Sequence, residues 1–149
     1  MVTSTAMATR DRSSTSACAN VSSVGSSFWV LMIQTRILAA KPDQWPSWSP
    51  TGDSLAFQSR RDENESWEIY VVEIGKDGVP GQPKRLTEND ADDIEPAWSP
   101  NGDWIAFISR RDHNPEIYVI RPDGSGLRRL TINDVVERDI AWSKDNQLI

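Results

Sequence analysis

One cysteine and one histidine in 149 residues leave little room for nucleophilic or metal chemistry. With Cys18 alone there is no intrachain disulfide and no thiolate metal cluster. Its surroundings, "STSACANVSS", lack the basic or helix-terminal setting that activates a thiol. His113 would need a nucleophile on an elbow such as Gly-x-Ser-x-Gly, and the sequence has none. Ser125, in the turn "DGSGL", has no base partner in view. His113 therefore reads as a surface residue between Asp112 and Asn114. No Walker-type glycine loop and no Gly-x-Gly-x-x-Gly is present, so nucleotide binding lacks support.

Long apolar runs are missing too. The longest, Phe28 to Ile33, is six residues, against the roughly 18 that a membrane helix needs. Basic charge is also short. The net charge is -6, and residues 41–149 alone carry -8. Phosphate neutralisation needs clustered Lys and Arg, so nucleic acid is a poor partner. These absences predict no cofactor, no metal, no membrane insertion and no nucleic-acid binding.

What the sequence does contain is repetition. "PSWSPTGDSLAFQSRRD", Pro46 to Asp62, returns as "PAWSPNGDWIAFISRRD", Pro96 to Asp112, with most letters identical. Trp-Ser starts at Trp48, Trp98 and Trp142, with spacings of 50 and 44 residues. "EIY" recurs after 48 residues, at Glu68 and Glu116, and "RLT" after 44, at Arg85 and Arg129. The changing offset puts the length differences in two connections, where loops tolerate them and strands do not.

Each repeat parses into four β segments. "PAW" leads into the turn "SPNGD", and "WIAFIS" follows. "EIYVI" is a third run, "PDGSG" a second turn, and "LRRLT" closes the unit. Four short antiparallel strands every 44–50 residues is the pattern of a propeller blade. The blades are expected at about Trp45–Thr87 and Glu95–Thr131, within units 45–94 and 95–139, with a cut-short third at 140–149. Residues 1–27, rich in Ser, Thr and Ala, bury too little to order and are expected to be disordered. Residues 28–44 read as the remnant of a preceding blade.

The phrase "WSPNGDWIAFISRRDHNPEIYVIRPDGSGLRRLT" resembles the WD40-like (PD40) repeat of TolB-type β-propellers. The resemblance implies an all-β fold: a partial propeller of about two four-stranded antiparallel blades plus the first strand of a third. It implies a periplasmic or extracytoplasmic setting, although the chain shows no convincing signal peptide. It also implies a non-catalytic protein-interaction module. The alternatives are an accessory propeller of a prolyl-oligopeptidase-like or tricorn-like protease, or a truncated product without a role of its own. In a propeller, equal positions pack against equal neighbours, so Trp48, Trp98 and Trp142 fall on inner strands. Phe57 and Phe107 fall on the second strand, Tyr70 and Tyr118 on the third, and Gly52 and Gly102 in the first turn. Two blades cannot close a ring. Bare faces, self-association and docking of further blades are therefore expected.

Two clusters are candidates for a partner. "ENDADDIE", Glu88 to Glu95, fails the EF-hand pattern because Glu95 falls where glycine is needed and Asn101 where Glu is needed. It reads as a solvated loop whose Asp92 and Asp93 favour cationic partners. "SRRD" places Arg61 and Arg111 after the second strand, where guanidinium forks could take a carboxylate. Because both repeats carry it, the default role is Arg–Asp bracing of adjacent blades.

Overall fold

The computed structural model describes residues 43–61 and 66–148. The expected N-terminal disorder, most of the 28–44 remnant and Cys18 lie outside them. Eight strands follow in order: β1 Asp43–Trp48, β2 Ser54–Ser59, β3 Glu68–Glu73, β4 Lys84–Arg85, β5 Asp93–Trp98, β6 Ile105–Asp112, β7 Asn114–Ile120 and β8 Arg128–Arg129. They form two antiparallel sheets, β1-β2-β3-β4 and β5-β6-β7-β8, and no helix occurs among the described residues. Each sheet is one blade.

Two boundaries differ from the expected ones. β1 begins at Asp43, and β5 begins at Asp93 because Asp93 pairs with Ser109. The second Arg-Arg-Asp is strand rather than loop: β6 runs on to Asp112, which pairs with Asn114 across His113. His113 takes φ 68°, the left-handed turn conformation, and is exposed.

Alternation along each strand explains why the phrase repeats. In β2, Leu55 and Phe57 leave one face and Ala56 the other; in β3, Tyr70 and Val72 oppose Ile69 and Val71. Ala56, Ile69 and Val71 meet Ile105, Phe107, Tyr118 and Ile120 of the second sheet to form the core between blades. One blade thus offers small and β-branched groups, and the next answers with aromatics. Phe57 stacks on Tyr70 at 5.8 Å and Phe107 on Tyr118 at 5.9 Å, across directly opposed positions.

The expectation of bare outer faces fails. Leu55, Phe57, Tyr70 and Val72, on the far side of the first blade, are 2% exposed or less. Exposed apolar side chains occur instead in the segment after β8, where Ile132 is 81% and Val135 65% exposed, and separately at Trp45 on β1.

A third unit begins with a related turn, one residue tighter. Trp142 bridges Leu148, six residues on, where Trp48 pairs with Leu55 and Trp98 with Ile105, seven residues on. Its indole N–H donates to the Ala97 carbonyl of the second blade at 2.9 Å. Asn146, φ 62°, stands where Gly52 (75°) and Gly102 (80°) close the first two turns. Asn is among the few side chains that visit this region.

Candidate interaction surface

Each inner strand carries a bulge at its start, with the register slipping between Gln44 and Ser47 and between Ile94 and Ala97. Trp45, Glu95 and Asp139 hold the same position in the three units, with φ of 53°, 56° and 54°. Non-glycine residues there cost about 1–3 kcal/mol each. The second bulge is held to the first blade by Gln58, whose Oε1 accepts the Glu95 N–H at 2.8 Å.

Successive side chains of an extended chain face opposite sides, and the two arginines of each Ser-Arg-Arg part company accordingly. Arg61 turns inward to Asp43 at 2.8 Å and lies over the Phe57 and Tyr70 rings. Arg111 reaches Asp93 at 2.7 Å and covers Tyr118. The Asp43 and Asp93 side chains are wholly buried. Arg61, Arg111 and Asp93 are therefore occupied inside their own blades, and the expected bracing between blades runs elsewhere. Arg60 and Arg110 point outward, both to Asp92 (3.7 and 3.4 Å), so one carboxylate ties the first blade to the second. Their side chains are 42% and 55% exposed. Such exposed pairs contribute roughly 0–1 kcal/mol and exchange partners readily.

"ENDADDIE" is only partly a solvated loop. Glu88 and Asp90 are exposed, while Asp93 is buried. Asn89 orders the segment by donating to Asp93 at 2.9 Å and accepting the Ala91 N–H. Asn133 repeats this arrangement with Glu137 and Val135.

Beneath this surface lies a network whose members are far apart in the sequence. Glu68 is 1% exposed and accepts from Arg85 (3.0 Å), the Thr87 hydroxyl (2.6 Å) and the Asn89 N–H (3.0 Å). Arg85 Nε also donates to the Thr87 carbonyl, and Thr87 Oγ1 accepts the Ile69 N–H. In the second blade Arg129 and the Asn133 N–H donate to Glu116, Arg129 Nε donates to the Thr131 carbonyl, and Thr131 Oγ1 accepts the Ile117 N–H, as their counterparts do in the first. The signal was available, since "EIY" and "RLT" recur together although the loop between them changes length.

Two groups on this side titrate unusually. Burial, then the Asp112 carboxylate it donates to, push the Tyr118 hydroxyl up to about 12. The Thr131 hydroxyl holds the Glu116 carboxyl below the ordinary 4.5, against the upward push of burial, helped by the Asn133 N–H and Arg129. Hydroxyl hydrogen bonds likewise lower Asp53 and Asp145, which cap the first turns of their units. A carboxyl lowered in the folded state contributes stability above its unfolded value and loses it as pH falls through the folded one. The urea midpoint should thus be flat near neutrality and fall as pH drops below 4.5. A midpoint that rises on acidification would contradict this.

A model of the family described as the TolB beta propeller domain matches residues 20–149. No curated protein matches the chain. Among solved structures, a TolB candidate from Agrobacterium tumefaciens shares 33% identity over 70% of this chain, with a TM-score of 0.61. TolB from Acinetobacter baumannii shares 28% over 71%, with a TM-score of 0.59. The alignments cover 35% and 25% of those two proteins, so the chain spans about a third of their length or less. A puromycin hydrolase superposes with a TM-score of 0.53 at 16% identity, covering 60% of this chain and 14% of its own, a likeness of fold alone.

Proposed function

Because the chain belongs to the TolB β-propeller domain family, we propose that it is a non-catalytic protein-interaction module working outside the cytoplasm. The observation that carries this reading is the exposed Arg60–Asp92–Arg110 cluster, which spans both blades at one end of the sheets. The buried carboxylates around it are tied to Arg61, Arg85, Arg111 and Arg129, so they hold the platform and the outer arginines meet the partner. Asp92 lends its charge to either side: it releases Arg60 and Arg110 to a partner's carboxylate or itself accepts a partner's cation. Glu88 and Asp90, both exposed, widen the acidic rim beside it. His113 sits exposed at a hairpin tip, far from the arrangement a hydrolase would need.

The test is capture of a partner from cell-envelope extract by the purified chain, with Arg60→Glu/Arg110→Glu beside it. The double variant should keep the wild-type melting temperature within a few degrees, since exposed substitutions cost about 0.5 kcal/mol or less. It should bind the captured protein about tenfold more weakly, roughly 1.4 kcal/mol. Equal capture by both proteins, or hydrolysis of peptide substrates by the purified chain, would overturn the reading.

A further inference from the structure

At the opposite end of the second blade, a groove of about 520 Å³ is lined by Gly102, Asp103, Trp104, Arg121, Pro122 and Asp123. Two guanidiniums stack on the Trp104 indole: Arg121 at 5.0 Å and Arg128 at 4.8 Å from the ring centroid. Gly126 lets the indole lie this close, since a Cβ there would stand 3.2 Å from Trp104 Cη2, at a φ of +71°. We propose that this groove docks a carboxylate-bearing segment of a partner protein, the carboxylate meeting the free edge of Arg121. The proposal rests on the reading of the chain as an interaction module, but places the contact on a different surface.

Three observations support it. First, the ion pairs of the described residues engage Arg60, Arg61, Arg85, Arg110, Arg111 and Arg129; among those residues neither Arg121 nor Arg128 has a carboxylate within 4 Å, although the Arg121 charge helps hold the Asp123 carboxyl low from farther off. Stacking on a ring face fixes a guanidinium while leaving its in-plane N–H fork open for a bidentate acceptor. Second, the cluster belongs to one blade only. Ser54 and Glu73, directly paired in the first blade, hold the positions of Trp104 and Arg121. Packing between blades reuses equal residues, so a set present in one copy alone is not demanded by the fold. Third, the groove's own acids are engaged in turns: Asp103 accepts from Asn101 at 2.7 Å and Asp123 from the Ser125 N–H at 2.8 Å. Their negative charge, with a net -6 over the chain, selects a single carboxylate beside a Lys or Arg over a phosphate polymer.

The first blade supplies a safe variant. Trp104→Ser/Arg121→Glu installs the residues that the same fold already carries at Ser54 and Glu73. The experiment is an NMR titration of the labelled full chain with an acetylated, amidated peptide, Lys-Glu-Leu-Asp. Its Gln/Asn counterpart and inorganic phosphate are the controls. Binding should shift the Trp104 indole and the Gly102 and Gly126 amides, saturating near ~1 mM, the range of a weak peptide contact. The Gly102 and Gly126 amide shifts should drop at least tenfold with the double variant, and all three with the Gln/Asn peptide. No shift up to about 10 mM, equal shifts with the amide peptide, or equal response to phosphate would each overturn the proposal. If the groove is silent while Arg60→Glu/Arg110→Glu still weakens partner capture about tenfold, the groove assignment falls and the interaction-module reading stands.

Discussion

Glu68→Ala is expected to cost about 3–5 kcal/mol, the loss typical when one partner of a buried ion pair is removed. The Glu68 carboxylate holds Arg85, the Thr87 hydroxyl and the Asn89 N–H at once. Removing it takes a buried carboxylate away from the Arg85 guanidinium, which is only 20% exposed. It also frees the segment that carries the chain from β4 into β5. Against a total margin of about 5–15 kcal/mol, one such change can take most of the protein's stability. Glu68→Gln keeps the shape and an acceptor, so it should recover part of the loss. Urea unfolding followed by tryptophan fluorescence reads both variants. A loss below about 1 kcal/mol for Glu68→Ala would mean that the network is solvated rather than structural.

The second large effect belongs to Phe107, which is fully buried in the core between the blades. Phe107→Ala should cost about 3–5 kcal/mol, because the rigid sheets on either side close poorly over the space left. The loss has a particular form. Phe107 belongs to β6 but packs on Ala56, Ile69 and Val71 of the first blade, so its removal weakens the contact that makes the blades unfold together. Thermal unfolding should split into two transitions where the unaltered chain shows one. Phe107→Leu, which keeps much of the volume, should cost under about 1.5 kcal/mol and keep the single transition. A single, unshifted transition for Phe107→Ala would show that the blades are held by their loops instead.

Much of this architecture was legible in the residues. Period-two alternation in "LAFQS" and "IAFIS", glycine in "SPTGD" and "SPNGD", and the return of Trp48 as Trp98 and Trp142 specify strands, turns and repeat. Stacking demands that equal faces meet equal neighbours, and this makes packing visible as repetition. Trp48 and Trp98 lie on the first strand of their sheets, Phe57 and Phe107 on the second, and Tyr70 and Tyr118 on the third, while Trp142 makes an isolated bridge to Leu148.

Repetition is blind to direction, and there the tertiary structure decided. Arg60 and Arg61 are adjacent letters, yet one is exposed and the other is tied to Asp43, 18 residues away. Which arginine turns inward depends on strand pairing, which brings Asp43 onto Arg61 and Asp93 onto Arg111; the positive φ at Trp45 and Glu95 is likewise announced by no composition. Glu68 looks like a surface carboxylate until β3 and β4 pair and bring Arg85 and Thr87 onto it. The Trp104 stack assembles only when β6, β7 and β8 align three separate segments. Side-chain alternation and turn chemistry are local and readable along the chain. Ion pairs and grooves are made by residues brought together from afar, and only the folded sheets place them.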